Sequence, residues 1–177
     1  MVRGSCAVLA FLLLAAPQGD VDAVAFATAF RAGNADQFKN RRITGTGVSF
    51  HGAIKERIAD GSTRLSLVVT LGAQAADGKL DVLKTWDDFV AAERGRRTVV
   101  IAVSGPNLPE PPAGAPSTIE FSGVYDGQVR TIMRAPQAAG SDAPETGPCP
   151  GEQPQENKGG FYCAPLLTGA TATVKGL

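Results

Sequence analysis

Arg41-Arg42-Ile43-Thr44-Gly45-Thr46-Gly47-Val48-Ser49-Phe50 reads as a β-strand whose face changes midway. Ile43 marks one parity of the pleat, and Val48 and Phe50 mark the other. Side chains alternate along a strand, so a single flat strand cannot turn all three toward one core. Gly45 and Gly47 stand where the parity changes. A glycine inside a strand often marks a bulge or tight bend, because it has no Cβ. The stretch therefore predicts a long strand bent at its glycines, which a small closed barrel needs when one strand serves two halves of the sheet.

Upstream, Asp20 to Asn34 predicts a short helix. Asp20 or Asp22 is placed as N-cap, and Phe26 and Phe30 share a face with Ala23 and Ala27. Gly33 and Asn34 supply the stop, and Phe38 is placed to plug the end of the following strand. Ahead of the helix, Arg3 precedes an apolar run from Ala7 to Ala16, followed by small residues. That is the pattern of a secretory leader over residues 1–19, and the run is short for a membrane span. Cutting after Gly19 or Ala23 fits the residues, and an uncleaved anchor is the rival reading. The expectation is an exported chain, periplasmic or secreted, with no membrane span once the leader is removed.

Leader removal takes Cys6 with it and leaves Cys149 and Cys163. An even cysteine count in an exported chain favours a disulfide. It would close a loop of about fifteen residues, worth roughly 3 kcal/mol on the chain-entropy account. A metal pair is the weaker reading, because the single His51 is distant and structural zinc wants four ligands at short spacing. No metal or other cofactor is expected.

Downstream of Phe50, Asp60-Gly61-Ser62 signals a turn. From Thr63 to Leu71, Leu65, Leu67, Val69 and Leu71 share one face and Arg64, Ser66 and Thr70 the other, with Val68 the exception. That predicts a half-buried antiparallel strand. Leu80 and Val82 suggest a short strand. Thr85 with Asp88 is a capping-box variant opening a helix to Arg94, with Gly95 placed to end it. Trp86, Phe89 and Val90 form its apolar face, so Trp86 is expected in the core. Val99, Val100, Ile101 and Val103 make a strand, and a Pro-rich loop follows from Gly105 to Pro116. Asp126-Gly127 between strand-like runs predicts a hairpin joining Ser117–Tyr125 to Gln128–Arg134. Residues 135–177 read as a Pro- and Gly-rich tail closed by the disulfide, with an edge strand at Thr168 to Val174.

The segments Val21 to Phe50 and Ile119 to Ile132, with their helix, basic-apolar-polar-Gly strand and Asp-Gly signal, resemble the exported bacterial OB-fold domains grouped as tRNA-anticodon-domain-like. The resemblance implies a five-stranded barrel over residues 20–134 and no catalytic constellation. Two threadings fit the middle. Either Leu80 to Leu83 is the third barrel strand and the Trp86 helix the barrel helix, or Thr98 to Val103 is the third strand. In the second, preferred threading the Trp86 helix is an insertion and the Pro-rich loop replaces the usual helix.

The chain carries 17 basic and 17 acidic side chains, for a net charge of zero. That disfavours a nucleic-acid partner, which usually shows as a strongly basic domain. Arg41, Arg42, Arg64, Arg96, Arg97, Arg130 and Arg134 read as a solvated face, with Tyr125 the best candidate to stack a base. Asp87 and Asp88 suit a helix N-terminus better than paired acid–base work, since neighbours on a helix diverge. There is no G-x-S-x-G, G-x-x-x-x-G-K or H-E-x-x-H.

The sequence thus predicts a mainly β protein, an OB-fold-like β-barrel with a short N-terminal helix and one further helix. It predicts a non-catalytic binding module, with Phe50, His51, Arg64, Ser66, Arg97 and Tyr125 as candidate ligand residues. The expected partner is an envelope protein or surface polymer. The alternative is a single-stranded nucleic acid or oligosaccharide in the barrel groove, and a small hydrolase stands third.

Overall fold

The computed structural model describes residues 19–57, 61, 63–112, 115–133, 149 and 161–175. The expected leader, most of the Asp60-Gly61-Ser62 turn, Arg134 and most of the expected tail lie outside them. The described chain is mainly β, with two α-helices. In order it runs β1 (Val21–Asp22), α1 (Ala23–Arg31), a 3-10 turn (Ala35–Phe38), β2 (Arg41–Ser49), β3 (Ile54–Arg57), β4 (Thr63–Gln74) and β5 (Leu80–Asp81). It continues through α2 (Trp86–Arg94), β6 (Thr98–Gly105), β7 (Ser117–Met133) and β8 (Phe161–Lys175).

Five strands close a ring. β2 pairs antiparallel with β7, β7 with β8, β8 runs parallel to β6, and β6 pairs antiparallel with β4. The ring closes where Val48 of β2 meets Thr70 of β4. Ile43, Leu67, Val69, Ile101, Val103, Ile119, Phe121 and Leu167 fill its interior. α1 adds Ala23, Phe26 and Ala27, and Leu108 joins them from the Pro-rich loop. Phe38 packs edge-on against Phe26 at 5.8 Å, as its place before β2 suggested.

β2 corrects the expected bend. Its register with β7 runs unbroken from Arg41↔Tyr125 to Ser49↔Ser117. The parity changes because both faces of β2 are buried, at different ends. Ile43 belongs to the ring interior, whereas Val48 and Phe50 pack with Leu83, Phe89 and Ala92 against α2 outside the ring. The glycines face inward where other atoms come too close for a side chain. A Cβ on Gly45 would lie 2.5 Å from the Ala23 Cβ, and one on Gly47 2.6 Å from the Thr70 carbonyl oxygen. The real break comes later, between Ser49 and Ile54, where β2 gives way to β3.

Three further expectations are revised. Asp126-Gly127 is not a hairpin turn. β7 runs through it as one strand, with a bulge between Tyr125 and Val129 that Gly127 accommodates at φ 98°. A turn there is ruled out by pairing, because β7 already has β2 and β8 as neighbours. The stretch expected as an edge strand at Thr168 to Val174 belongs to β8, which lies between β7 and β6 inside the sheet. Residues 161–175 therefore share one sheet with the strands before Arg134. β4 is buried on both faces, since Val68 packs outside the ring with Val100 and Ala164.

In the middle of the chain it is Thr98–Gly105, and not Leu80–Asp81, that enters the ring. β5 pairs only with β4, and the ring passes through β6. α2 lies outside the ring, fixed at its start by the expected capping box. The Asp88 N–H donates to Thr85 Oγ1 at 3.1 Å, and the Thr85 N–H donates to Asp88 Oδ2 at 3.2 Å. Hydrogen bonding from Thr85, its side chain first and then its backbone N–H, lowers the pKa of the Asp88 carboxyl from its ordinary value. Gly95 keeps a negative φ at the helix end, and Arg96 takes the left-handed conformation instead, at φ 52°. At α1 the cap is Asp22, whose Oδ1 accepts from the Val24 and Ala25 N–H groups. Cys149 and Cys163 form the expected disulfide.

Candidate binding surface

The break between β2 and β3 builds an aromatic corner against α2. Ser49 Oγ donates to the His51 carbonyl at 2.6 Å and tightens the turn. Phe50 then stacks on Phe89 of α2, with ring centroids 4.4 Å apart. The imidazole of His51 stands edge-on to both Trp86, at 5.7 Å, and Phe89, at 5.5 Å. Such contacts add to area burial because ring edges are positive and faces negative. Trp86 nevertheless remains 46% exposed and Ile54 40%, which corrects the expectation that Trp86 is core. The capping box places Trp86 in the first turn of α2, at the end of the apolar stripe and so at its rim.

Electrostatics at this corner favour a neutral imidazole. Partial desolvation beside the Trp86 and Phe89 rings pushes the pKa of the otherwise exposed His51 below its ordinary value, and the Glu93 carboxylate opposes that shift. Glu93 itself is buried, and it accepts a hydrogen bond from Thr98 Oγ1. A neutral imidazole offers one donor and one acceptor.

Beside His51 opens a cleft of about 320 Å³, lined by His51, Ile54, Val68, Arg130, Thr131 and Ile132. Its far wall comes from the distal part of β7. Past the bulge at Asp126, β7 and β8 leave the ring as a two-stranded arm, pairing Val129↔Pro165 through Met133↔Phe161. Ile132 and Ala164 of the arm pack on Val68 and Val100, on the outer face of β4 and β6. The cleft is small, within the range of ligand pockets, and its lining is half aliphatic (Ile54, Val68 and Ile132) and half polar (His51, Arg130 and Thr131).

The six residues singled out from the sequence do not converge. Phe50 and His51 meet at this corner, with Phe50 buried in the α2 contact. Arg64 lines a separate open groove of about 420 Å³ with Thr63, Ser104, Asp126, Gln128 and Thr168. In that groove the Asp126 carboxylate already accepts from the Gln128 backbone and side chain and lies 3.2 Å from Thr168 Oγ1. Ser66 is buried and bonds Ser104 Oγ at 3.3 Å. Arg97 is exposed at the α2–β6 junction, where its N–H donates to the Ala92 carbonyl. Tyr125 is only 4% exposed and packs against Phe26 at 4.8 Å, so it is a core residue and not a stacking platform. Burial first, then the nearby Asp36 and Asp126, push its phenol pKa up.

Sequence reasoning missed Ile54, Val68, Trp86 and the arm residues as a site. Val68 did carry a signal, as the one apolar residue on the polar parity of its strand. Among the described residues no group of three His, Cys, Asp or Glu side chains converges to hold a metal ion. Among them, too, no helix is long and apolar enough to cross a membrane. Compared with known protein families, curated proteins and solved structures, the chain matches none.

Proposed function

We propose that this chain is an exported, non-catalytic binding module built on an OB-fold-like barrel, and that it holds an apolar segment of an envelope protein at the His51–Ile54–Trp86 corner. The ring order β2–β4–β6–β8–β7, with its one parallel contact between β6 and β8, supports the barrel reading. In that reading β2, β4, β6, β7 and β8 are the five barrel strands, α2 is an insertion, and the Pro-rich loop with buried Leu108 replaces the usual helix.

One observation carries the choice of partner. OB-folds commonly bind oligonucleotides or oligosaccharides on the outer face of their second and third strands. Here the arm of β7 and β8 packs on that face, through Ile132 and Ala164 over Val68 and Val100. What stays open is a small cleft of mixed aliphatic and polar lining beside an exposed tryptophan. Tryptophan and arginine, here Trp86 and the cleft residue Arg130, are among the residue types that most often anchor protein recognition.

The test uses the purified chain as bait in an envelope fraction, with Ile54→Asp and Trp86→Ala as controls. The expected result is a protein partner retained by the wild type and lost with Ile54→Asp. Trp86 is the only tryptophan, so its fluorescence follows titration with an oligo-dT strand directly. Oligonucleotide binding that falls steeply with salt would overturn the reading in favour of nucleic acid.

A further inference from the structure

We infer that the cleft beside His51 takes the C-terminal end of a protein chain: an aliphatic last side chain lies on Ile54, Val68 and Ile132, and its α-carboxylate is held by Arg130 and His51. The inference rests on the protein-partner reading above and narrows it to one end of the partner.

The lining sorts by chemistry. Ile54 of β3, Val68 of β4 and Ile132 of β7 supply the aliphatic half, and the two ionisable side chains, His51 and Arg130, are both bases. Arg130 and Ile132 are two apart on β7 and so share one face of the strand. That is the face turned to the ring, where Ile132 and Ala164, the partner of Arg130 in the register, pack on Val68 and Val100. Thr131 between them turns to the other face, where its Oγ1 accepts from the Cys149 N–H at 2.9 Å.

Each base brings donors suited to a carboxylate. A guanidinium presents five N–H donors in a planar fork, so it can hold a carboxylate together with another acceptor. The imidazole of His51 donates one N–H when neutral. Its place is fixed by the turn that Ser49 Oγ closes on the His51 carbonyl and by the rings of Trp86 and Phe89. Charge complementarity therefore asks for an anion, and the aliphatic half asks for an apolar group next to it.

Size selects the end of a chain. At about 320 Å³ the cleft stands near the lower limit of ligand pockets. Within a chain, an acidic side chain and an apolar one come from two residues, and main chain must leave at both ends. A terminal residue carries carboxylate and side chain on one Cα, and main chain leaves at one end. Capture of a terminal carboxylate is a recurring mode of peptide recognition.

The pair of bases also sets a pH dependence. Glu93 of α2 acts on the imidazole electrostatically, and Arg130 of β7 shares its cleft. A bound carboxylate adds a negative charge there and favours the imidazolium. Binding then takes up a proton, so affinity rises as pH falls through the ordinary histidine range.

The probe is the peptide acetyl-Gly-Ser-Ala-Leu with a free carboxylate, compared with its C-terminal amide and with octanoate, all followed by the fluorescence of Trp86. The acid should bind the unaltered chain at least about tenfold more tightly than the amide, the usual loss for a charged hydrogen-bond partner. Arg130→Gln should remove that difference. The acid should bind more tightly at about pH 5.5 than at about pH 7.5, and His51→Gln should abolish the change. Equal affinity for acid and amide, or binding of neither, would overturn the inference. Octanoate bound as tightly as the peptide would overturn it in favour of a lipid acid. The acid–amide comparison uses the unaltered chain, so it decides the matter even where Arg130→Gln disturbs the arm. Equal affinity for acid and amide leaves the Ile54-dependent capture of a partner standing, whereas loss of that capture sinks the protein-partner reading itself.

Discussion

The Cβ of Ala23, the first residue of α1, sits over the Cα of Gly45 in β2, and a Cβ added to Gly45 would come within 2.5 Å of it. That contact docks α1 onto the ring. On the same face two residues later, Gly47 lies under the Thr70 carbonyl and the Val69 side chain, each 2.6 Å from where a Cβ would stand. Neither glycine has a positive φ, so the constraint is space and not backbone conformation.

Gly45→Val and Gly47→Val should each destabilise the protein by about 1–3 kcal/mol through overpacking, although valine favours strands. Thr44→Val and Thr46→Val, on the opposite face, should be near neutral. Thermal melts of the four variants decide it, and equal midpoints would mean that these close approaches do not exist in solution.

Leu108 sits in a Pro-rich loop that composition alone marks as surface, yet it is 4% exposed and part of the ring core. Leu108→Ala should cost about 2–5 kcal/mol, the usual range for a buried leucine. A loss under about 0.5 kcal/mol, the ordinary surface value, would show that the loop does not plug the ring.

Removing everything after Arg134 should abolish cooperative unfolding. β8 joins β7 to β6, so its loss opens the ring and exposes one edge of each. Circular dichroism melts of the truncated chain test this. A sharp transition near the full-length midpoint would restore the view of residues 135–177 as a dispensable tail.

The lowered pKa of His51 gives a signed pH dependence. Below its ordinary value near 6.5 the unfolded chain binds a proton that the folded chain takes up only at lower pH. Stability should therefore fall as pH drops through that window, and level off below the folded pKa. His51→Gln should flatten the slope between pH 7.5 and 5.5 relative to wild type. An identical slope in both would place the desolvation elsewhere.

Some of this architecture was legible in the residues. The capping box at Thr85 and Asp88, the Asp22 cap, the β-branched strand at Val99 to Val103 and the cysteine pair all depend on short-range chemistry. Local hydrogen bonds, backbone preferences and residue parity are set by neighbours in the chain, so the sequence by itself determined them.

What the tertiary structure alone decided has a common cause: it depends on what a segment meets from far away. The change of face in β2 looked like a bend because parity shows only that a side is buried, not by what. Here two different cores, the ring and the α2 contact, bury opposite sides. Asp126-Gly127 looked like a turn because nothing local says that β7 already has strands on both edges. β8 looked like a tail because its pairing with β6, Ala102↔Leu166, spans most of the C-terminal half, and its small Ala and Thr residues carry little pattern. The candidate site is of the same kind. His51, Trp86 and Ile132 come from three separate segments, and only the closing of the ring and the folding of the arm across it bring them to one corner.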